Sequence, residues 1–227
     1  MNVVVFASRK GGSGKSTLAA HVASCAQKVS ERVLLIDADP QGSLSLWHQL
    51  RGDAAPELKV ATRGVSELVE SARRRGVEWV FIDTPPNSSA VVSDAIKAAS
   101  MLVIPTRPSV FDVASVRETI EIARELGTPY AVVINGAPAR REDVDAPLVT
   151  LTRHTLEELR APVWGGQITN RADMILALAE GEGAREYREK SRAAEEVARL
   201  WSAISKSVKA ISQQTAPQAG ALHRQAA

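Results

Sequence analysis

Apolar positions along this chain follow two rhythms. Uninterrupted runs occupy residues 3–6, 33–36, 79–82, 101–104 and 130–134, each followed within two residues by a proline or a polar residue. A run without polar interruption, flanked by helical patterns, marks a strand buried on both faces of a parallel sheet. Between the runs, apolar residues return every three or four places: over 18–28, at Leu44, Trp47 and Leu50, over 65–75, and at Val113, Val116, Ile120 and Ala123. Those spacings predict helices that pack one face on the sheet. Weaker signals add a short strand at 58–60, a helix over 148–159, a last strand over 163–168 and a long helix over about 185–211. The stripe of that last helix is Val197, Leu200, Trp201, Ile204, Val208 and Ile211. Repeated strand–helix alternation implies right-handed crossovers, hence an α/β fold with a doubly wound, mostly parallel sheet and helices on both faces.

The 227 residues suit one well-cored domain, expected over 1–211, followed by a tail at 212–227 rich in Gln, Ala and Pro and expected to be disordered. A net charge of +2 neither demands nor excludes a nucleic-acid partner. The single cysteine, Cys25, cannot close an internal disulfide and reads as a small buried apolar residue. No apolar run approaches the roughly 20 residues needed to cross a bilayer. The first strand begins beside Met1, so no signal peptide is expected and a reduced, cytoplasmic setting follows.

Chemistry concentrates just past the first run. Arg9-Lys10-Gly11-Gly12-Ser13-Gly14-Lys15-Ser16-Thr17 lies between a strand and a helix. Glycines let backbone N–H groups converge on an anion, the helix start adds its positive end, and Lys15 can reach the outer phosphates of a nucleotide. Ser16 is then placed to ligate Mg²⁺. Two further strands end in acids: Asp37 and Asp39 after the second, and Asp83 before Thr84-Pro85-Pro86. In a parallel sheet those carboxylates share the ligand-binding edge with the loop. Capping of the following helix explains one acid of the Asp37/Asp39 pair, but not both.

The loop departs from the general phosphate-loop pattern in carrying Arg9 where a glycine is usual and a second lysine at Lys10. This K-G-G-x-G-K-S form resembles the deviant Walker A motif of the ParA/MinD family of ATPases. The resemblance covers most of the chain and is nearest to short ParA-type partition proteins. It is specific in the loop, at D-x-D-P-Q (Asp37 to Gln41) and at D-T-P-P (Asp83 to Pro86), and looser beyond Asn135. It implies ATP and Mg²⁺ as cofactors, with residues 10–17 holding phosphates. Ser16, Asp37 and Asp83 would serve the metal, Asp39 would orient the attacking water, and Lys10 would reach the partner's phosphates in a sandwich homodimer. Asn135 falls where the family has an adenine-contacting asparagine, although an Asn there is also a routine turn residue. Ile168-Thr169-Asn170-Arg171 resembles the family's I-P-R segment without its proline and with the arginine one place later.

By the same resemblance, a ParB-like activator would stimulate hydrolysis, and the dimer would bind nonspecific DNA of the nucleoid. The cargo would be a plasmid, a chromosome or a protein cluster. From Val197 onward there is no acid, while Arg199, Lys206, Lys209 and Arg224 are present. Those residues read either as a phosphate-binding surface or as a helix end matched to its dipole. With Leu222 alone as a bulky apolar residue, the tail does not favour membrane attachment. Alternatives are a MinD-like membrane-associated positioning ATPase, a small-molecule ATP-dependent ligase sharing the loop, and a nucleotide-gated scaffold. No operator-binding segment is expected before the first strand.

Overall fold

The computed structural model describes residues 1–215 except 28, 31, 53, 63 and 88. Along the chain run β1 (Asn2–Phe6), α1 (Lys15–Gln27), β2 (Val33–Asp37), α2 (Ser43–Leu50), β3 (Glu57–Val60), α3 (Ser66–Arg74), β4 (Trp79–Asp83) and α4 (Ala90–Ala98). They continue with β5 (Met101–Thr106), α5 (Val110–Glu125), β6 (Tyr130–Ala137), α6 (Pro147–Glu158), β7 (Ile168–Thr169), α7 (Ala172–Ala179), α8 (Ala184–Tyr187) and α9 (Arg192–Thr215). The strands form one seven-stranded sheet in the order β3-β2-β4-β1-β5-β6-β7. Every pairing is parallel, as continuous apolar strands with helical crossovers require.

Successive residues of each strand serve opposite layers. Val3, Val5, Leu34, Ile36, Val80 and Ile82 join the core beneath α3, α4, α5 and α6. Val4, Phe6, Leu35 and Phe81 face the other way, toward α1, α2, α7 and α9. The second layer holds an aromatic cluster in which Trp201 of α9 meets Trp79 edge-on, ring centroids 4.6 Å apart, and lies 5.8 Å from Phe81. Such contacts add about 0.5–1.5 kcal/mol each beyond area burial, so α9 is a working part of the core.

Four expectations change. The helices α4 and α7 carry no strong periodic signal in the sequence. β6 runs on through Asn135 to Ala137, so Asn135 lies inside the strand rather than at its close. The strand expected over 163–168 shrinks to β7 plus an isolated bridge at Val163. Between them Arg153 takes the carbonyls of Trp164, Gly165 and Gly166, which removes those groups from any ladder. The expected final helix is broken at 188–191 into α8 and α9, and α9 continues to Thr215, beyond the boundary expected at 211. Residues 216–227, with Leu222 and Arg224, lie outside the described residues.

Candidate functional site

β1 ends at the carboxyl edge of the sheet, and the chain arches over that edge before entering α1 at Lys15. Gly12 and Gly14 hold φ of 72° and 98°, values open to glycine and strained for other residues. A Cβ on Gly14 would stand 2.0 Å from Nδ2 of Asn135. That Nδ2 donates to the Ser13 carbonyl at 2.8 Å, and Asn135 is buried, so β6 fastens the loop from below. Arg9 turns outward: its guanidinium pairs with Glu118 at 2.6 Å and its N–H donates to Thr119 Oγ1 at 3.3 Å, both on α5. The departure from glycine at position 9 is thus accommodated by a neighbouring helix.

The two lysines differ. Lys15 is 6% exposed and its ammonium donates to the Lys10 carbonyl at 3.5 Å. Burial pulls its pKa down from the ordinary lysine value, while Asp83 and Asp39 act the other way. Lys10 is half-buried, and its ammonium has no hydrogen-bond or ion-pair partner among the described residues.

Asp37 and Asp83 stand abreast in the β2–β4 register, both fully buried. Asp37 is saturated: Oδ1 accepts from the Asp39 N–H at 3.2 Å, and Oδ2 from the Ser45 N–H at 2.9 Å and hydroxyl at 2.7 Å. It thereby supplies the start of α2 with the acceptor that Gly42, its N-cap residue, lacks. Asp83 is the opposite case, since neither oxygen accepts a hydrogen bond from the described residues. Burial first, then the charges of Asp37 and Asp39, push its pKa up to about 7; the nearby Ser16 hydroxyl and Lys15 counter this without well-formed hydrogen bonds. A buried carboxyl without donors is costly and is relieved by a cation. These hard oxygen donors fit Mg²⁺, with Ser16 and Asp83 as the residues able to hold it and Asp37 fixed behind them. Asp39, half-exposed at the rim, accepts the Gln41 N–H at 3.0 Å on Oδ1.

A cavity of about 820 Å³ opens above this edge. Its floor is the glycine loop with Asp39, and its far wall is apolar: Trp47 of α2 and Met174, Ile175 and Leu178 of α7. Thr169, Asn170 and Arg171 join Asn135 on a third side. Arg107, exposed at the end of β5, leans over Gly12, where its Nη2 would stand 3.7 Å from an added Cβ. Neither α7 nor Arg107 is among the residues that the sequence reading marks for the site. An arginine directly after a buried strand, at the edge where ligands gather, is the sequence signal by which the latter could be found.

A glycine loop between strand and helix, a buried lysine and acid-tipped neighbouring strands define a nucleotide-binding α/β domain of the phosphate-loop class. Residues 4–184 match the CobQ/CobB/MinD/ParA nucleotide binding domain, and the chain belongs to this family. It is 36% identical over 213 residues to maintenance of carboxysome distribution protein A of Gloeobacter kilaueensis, covering 88% of this chain and 95% of that protein. It is 29% identical over 154 residues to the chromosome-partitioning ATPase Soj of Thermus thermophilus, covering 53% and 62%. The fold matches a Cyanothece McdA variant in complex with ATP at a TM-score of 0.70 and 19% identity, covering 91% of this chain and 96% of that one.

Proposed function

We propose that this chain is a ParA-type positioning ATPase that closes into a homodimer around two ATP molecules. The observation that carries this reading is the unequal lysine pair in one loop. Lys15 is committed inward to its own site, whereas Lys10 is half-exposed and its ammonium has no partner among the described residues, as suits a group meant for a second copy.

In the proposed reaction, backbone N–H groups of residues 11–17 and the Lys15 ammonium receive the triphosphate. Bound Mg²⁺ would neutralise charge on the phosphate oxygens. Ser16 and Asp83 would hold that ion through a hydroxyl and a carboxylate; Asp37 keeps α2, and with it the Asp39 turn, in place. Asp39 then accepts a hydrogen bond from water and aims it at the outer phosphorus. Lys10 of the partner copy adds positive charge where the transferred group develops its own negative charge.

Further support comes from α9. Arg192, Arg199 and Lys206 are exposed at seven-residue intervals, roughly 10.5 Å apart along one face. A row of cations suits nonspecific contact with DNA phosphates and a nucleoid location. A ParB-like activator would trigger hydrolysis and release. The carboxysome-distribution relative favours a protein assembly as cargo.

Light scattering after gel filtration tests the reading. With a nonhydrolysable ATP analogue the protein should run as a dimer, and Lys10→Ala should bind the analogue but remain monomeric. A Lys10→Ala dimer indistinguishable from the parent would overturn the trans contact. Retardation of random DNA should need ATP and weaken steeply with salt; binding to anionic liposomes instead would move the reading to membrane positioning.

A further inference from the structure

The side of the cavity formed by residues 169–171 is held from outside by α9. Thr169 and Arg171 border the cavity on one side and a smaller polar cleft against α9 on the other. Glu196, in the second turn of α9, reaches across that cleft. One carboxylate oxygen accepts the Thr169 backbone N–H at 2.8 Å; the other accepts the Thr169 hydroxyl at 2.9 Å and Arg171 Nε and Nη2 at 3.2 and 3.0 Å. The Glu196 side chain is 16% exposed, so these charge-assisted bonds are well shielded from water.

Little else holds this stretch. β7 has two residues, and its register with β6 is broken between Asn135 and Ala137. Beyond that ladder, Asn170 N–H reaches the Ala137 carbonyl at 2.9 Å, and Gln167 Nε2 spans Pro138 O and Thr169 Oγ1. The Thr169 N–H is essential to the arrangement, because a proline there would have neither the N–H nor the hydroxyl to give.

We propose that Glu196 is the positioning residue for the base-side wall of the cavity: it holds residues 169–171 in the shape that receives the base of a nucleotide. The share of affinity that comes from the base then depends on a side chain carried by α9, whose outer face also bears Arg192 and Arg199. This rests on the reading that the cavity takes a nucleoside triphosphate.

The test separates base from phosphates. Titration calorimetry of the full chain with Mg²⁺ would compare ATP with inorganic tripolyphosphate for the parent, Glu196→Ala, Glu196→Gln and Thr169→Val. Glu196→Ala should bind ATP at least about tenfold more weakly, with tripolyphosphate within about twofold of the parent. Glu196→Gln keeps an acceptor for Thr169 and should recover part of the loss. Parent-like ATP affinity in Glu196→Ala would overturn the proposal, as would equal losses for both ligands in a protein that is folded by circular dichroism. If Glu196→Ala does not fold, Thr169→Val decides: a selective loss for ATP supports the proposal and parent-like affinity overturns it. A parent protein that binds neither ligand would remove the nucleotide reading, and this role with it.

Discussion

His21 makes the protein's acid stability predictable from one ring. It lies on α1 with no exposed surface, and its Nδ1 accepts the Ala184 N–H of α8 at 3.1 Å. The proton must therefore sit on Nε2, which donates to the Met174 carbonyl of α7 at 3.1 Å. Burial is the main cause that lowers the His21 pKa from 6.5 to about 4. The folded pKa lies below the unfolded one, so the unfolded chain takes up the proton first. The stabilisation is complete above pH 6.5 and is lost as pH falls toward 4. Linkage over this gap gives about 2.5 kcal/mol lost between pH 7.5 and 4.5. For a domain of this size that is a fall in Tm of roughly 5–10 °C from this residue alone. Urea unfolding of the parent and of His21→Asn at both pH values isolates it, because carboxylate titrations are common to the two proteins. Asn keeps an acceptor for Ala184 and should be less stable at pH 7.5 but lose about 2.5 kcal/mol less on acidification. Equal losses in the two proteins would refute the argument. Because Met174 lines the cavity, the same acidification should loosen the α7 wall before the sheet melts.

Gly14→Ala should destabilise the protein by about 1–3 kcal/mol and abolish ATP binding by calorimetry; adding Asn135→Ala should return part of the stability, since the overlap is with that side chain. Asp83→Asn should raise the Tm of the nucleotide-free protein at pH 8. The folded Asp83 pKa, about 7, lies above the ordinary 3.8, so its stabilising effect is complete below 3.8 and is lost as pH rises through 7. The gain is up to about 4 kcal/mol, less what Lys15 loses in a counter-charge, and should vanish near pH 4; the Mg²⁺-dependent part of stabilisation by ATP should vanish at any pH. Asp39→Ala should retain ATP and the dimer while single-turnover hydrolysis falls about 10²-fold or more.

The parts readable from sequence are those whose signals are local. The glycine loop and the acids at 37, 39 and 83 are contiguous with the apolar runs that place them, so the sheet edge and its chemistry could be assembled before any coordinates. Asp37 shows the limit of that approach: its type and position suggested metal support, but saturation by Ser45 and Asp39 emerges only once α2 is docked. The side of the cavity at residues 169–171 was least legible. Its wall depends on Arg153 bending 164–166, on Glu196 reaching Thr169 across 27 residues and on the short α7, and none of these leaves a periodic trace. The breaks around α8 are likewise set by distant contacts, such as Arg51 with the Gly181 carbonyl and Glu186.

The perpendicular indoles of Trp79 and Trp201 give the molecule an optical gauge. One belongs to the strand that ends at Asp83, the other to the helix bearing the outward row of cations. At 4.6 Å their transitions couple, so far-ultraviolet circular dichroism should follow the seating of that helix without any attached dye. A ligand that shifted α9 against the sheet would thereby be detected in unlabelled protein.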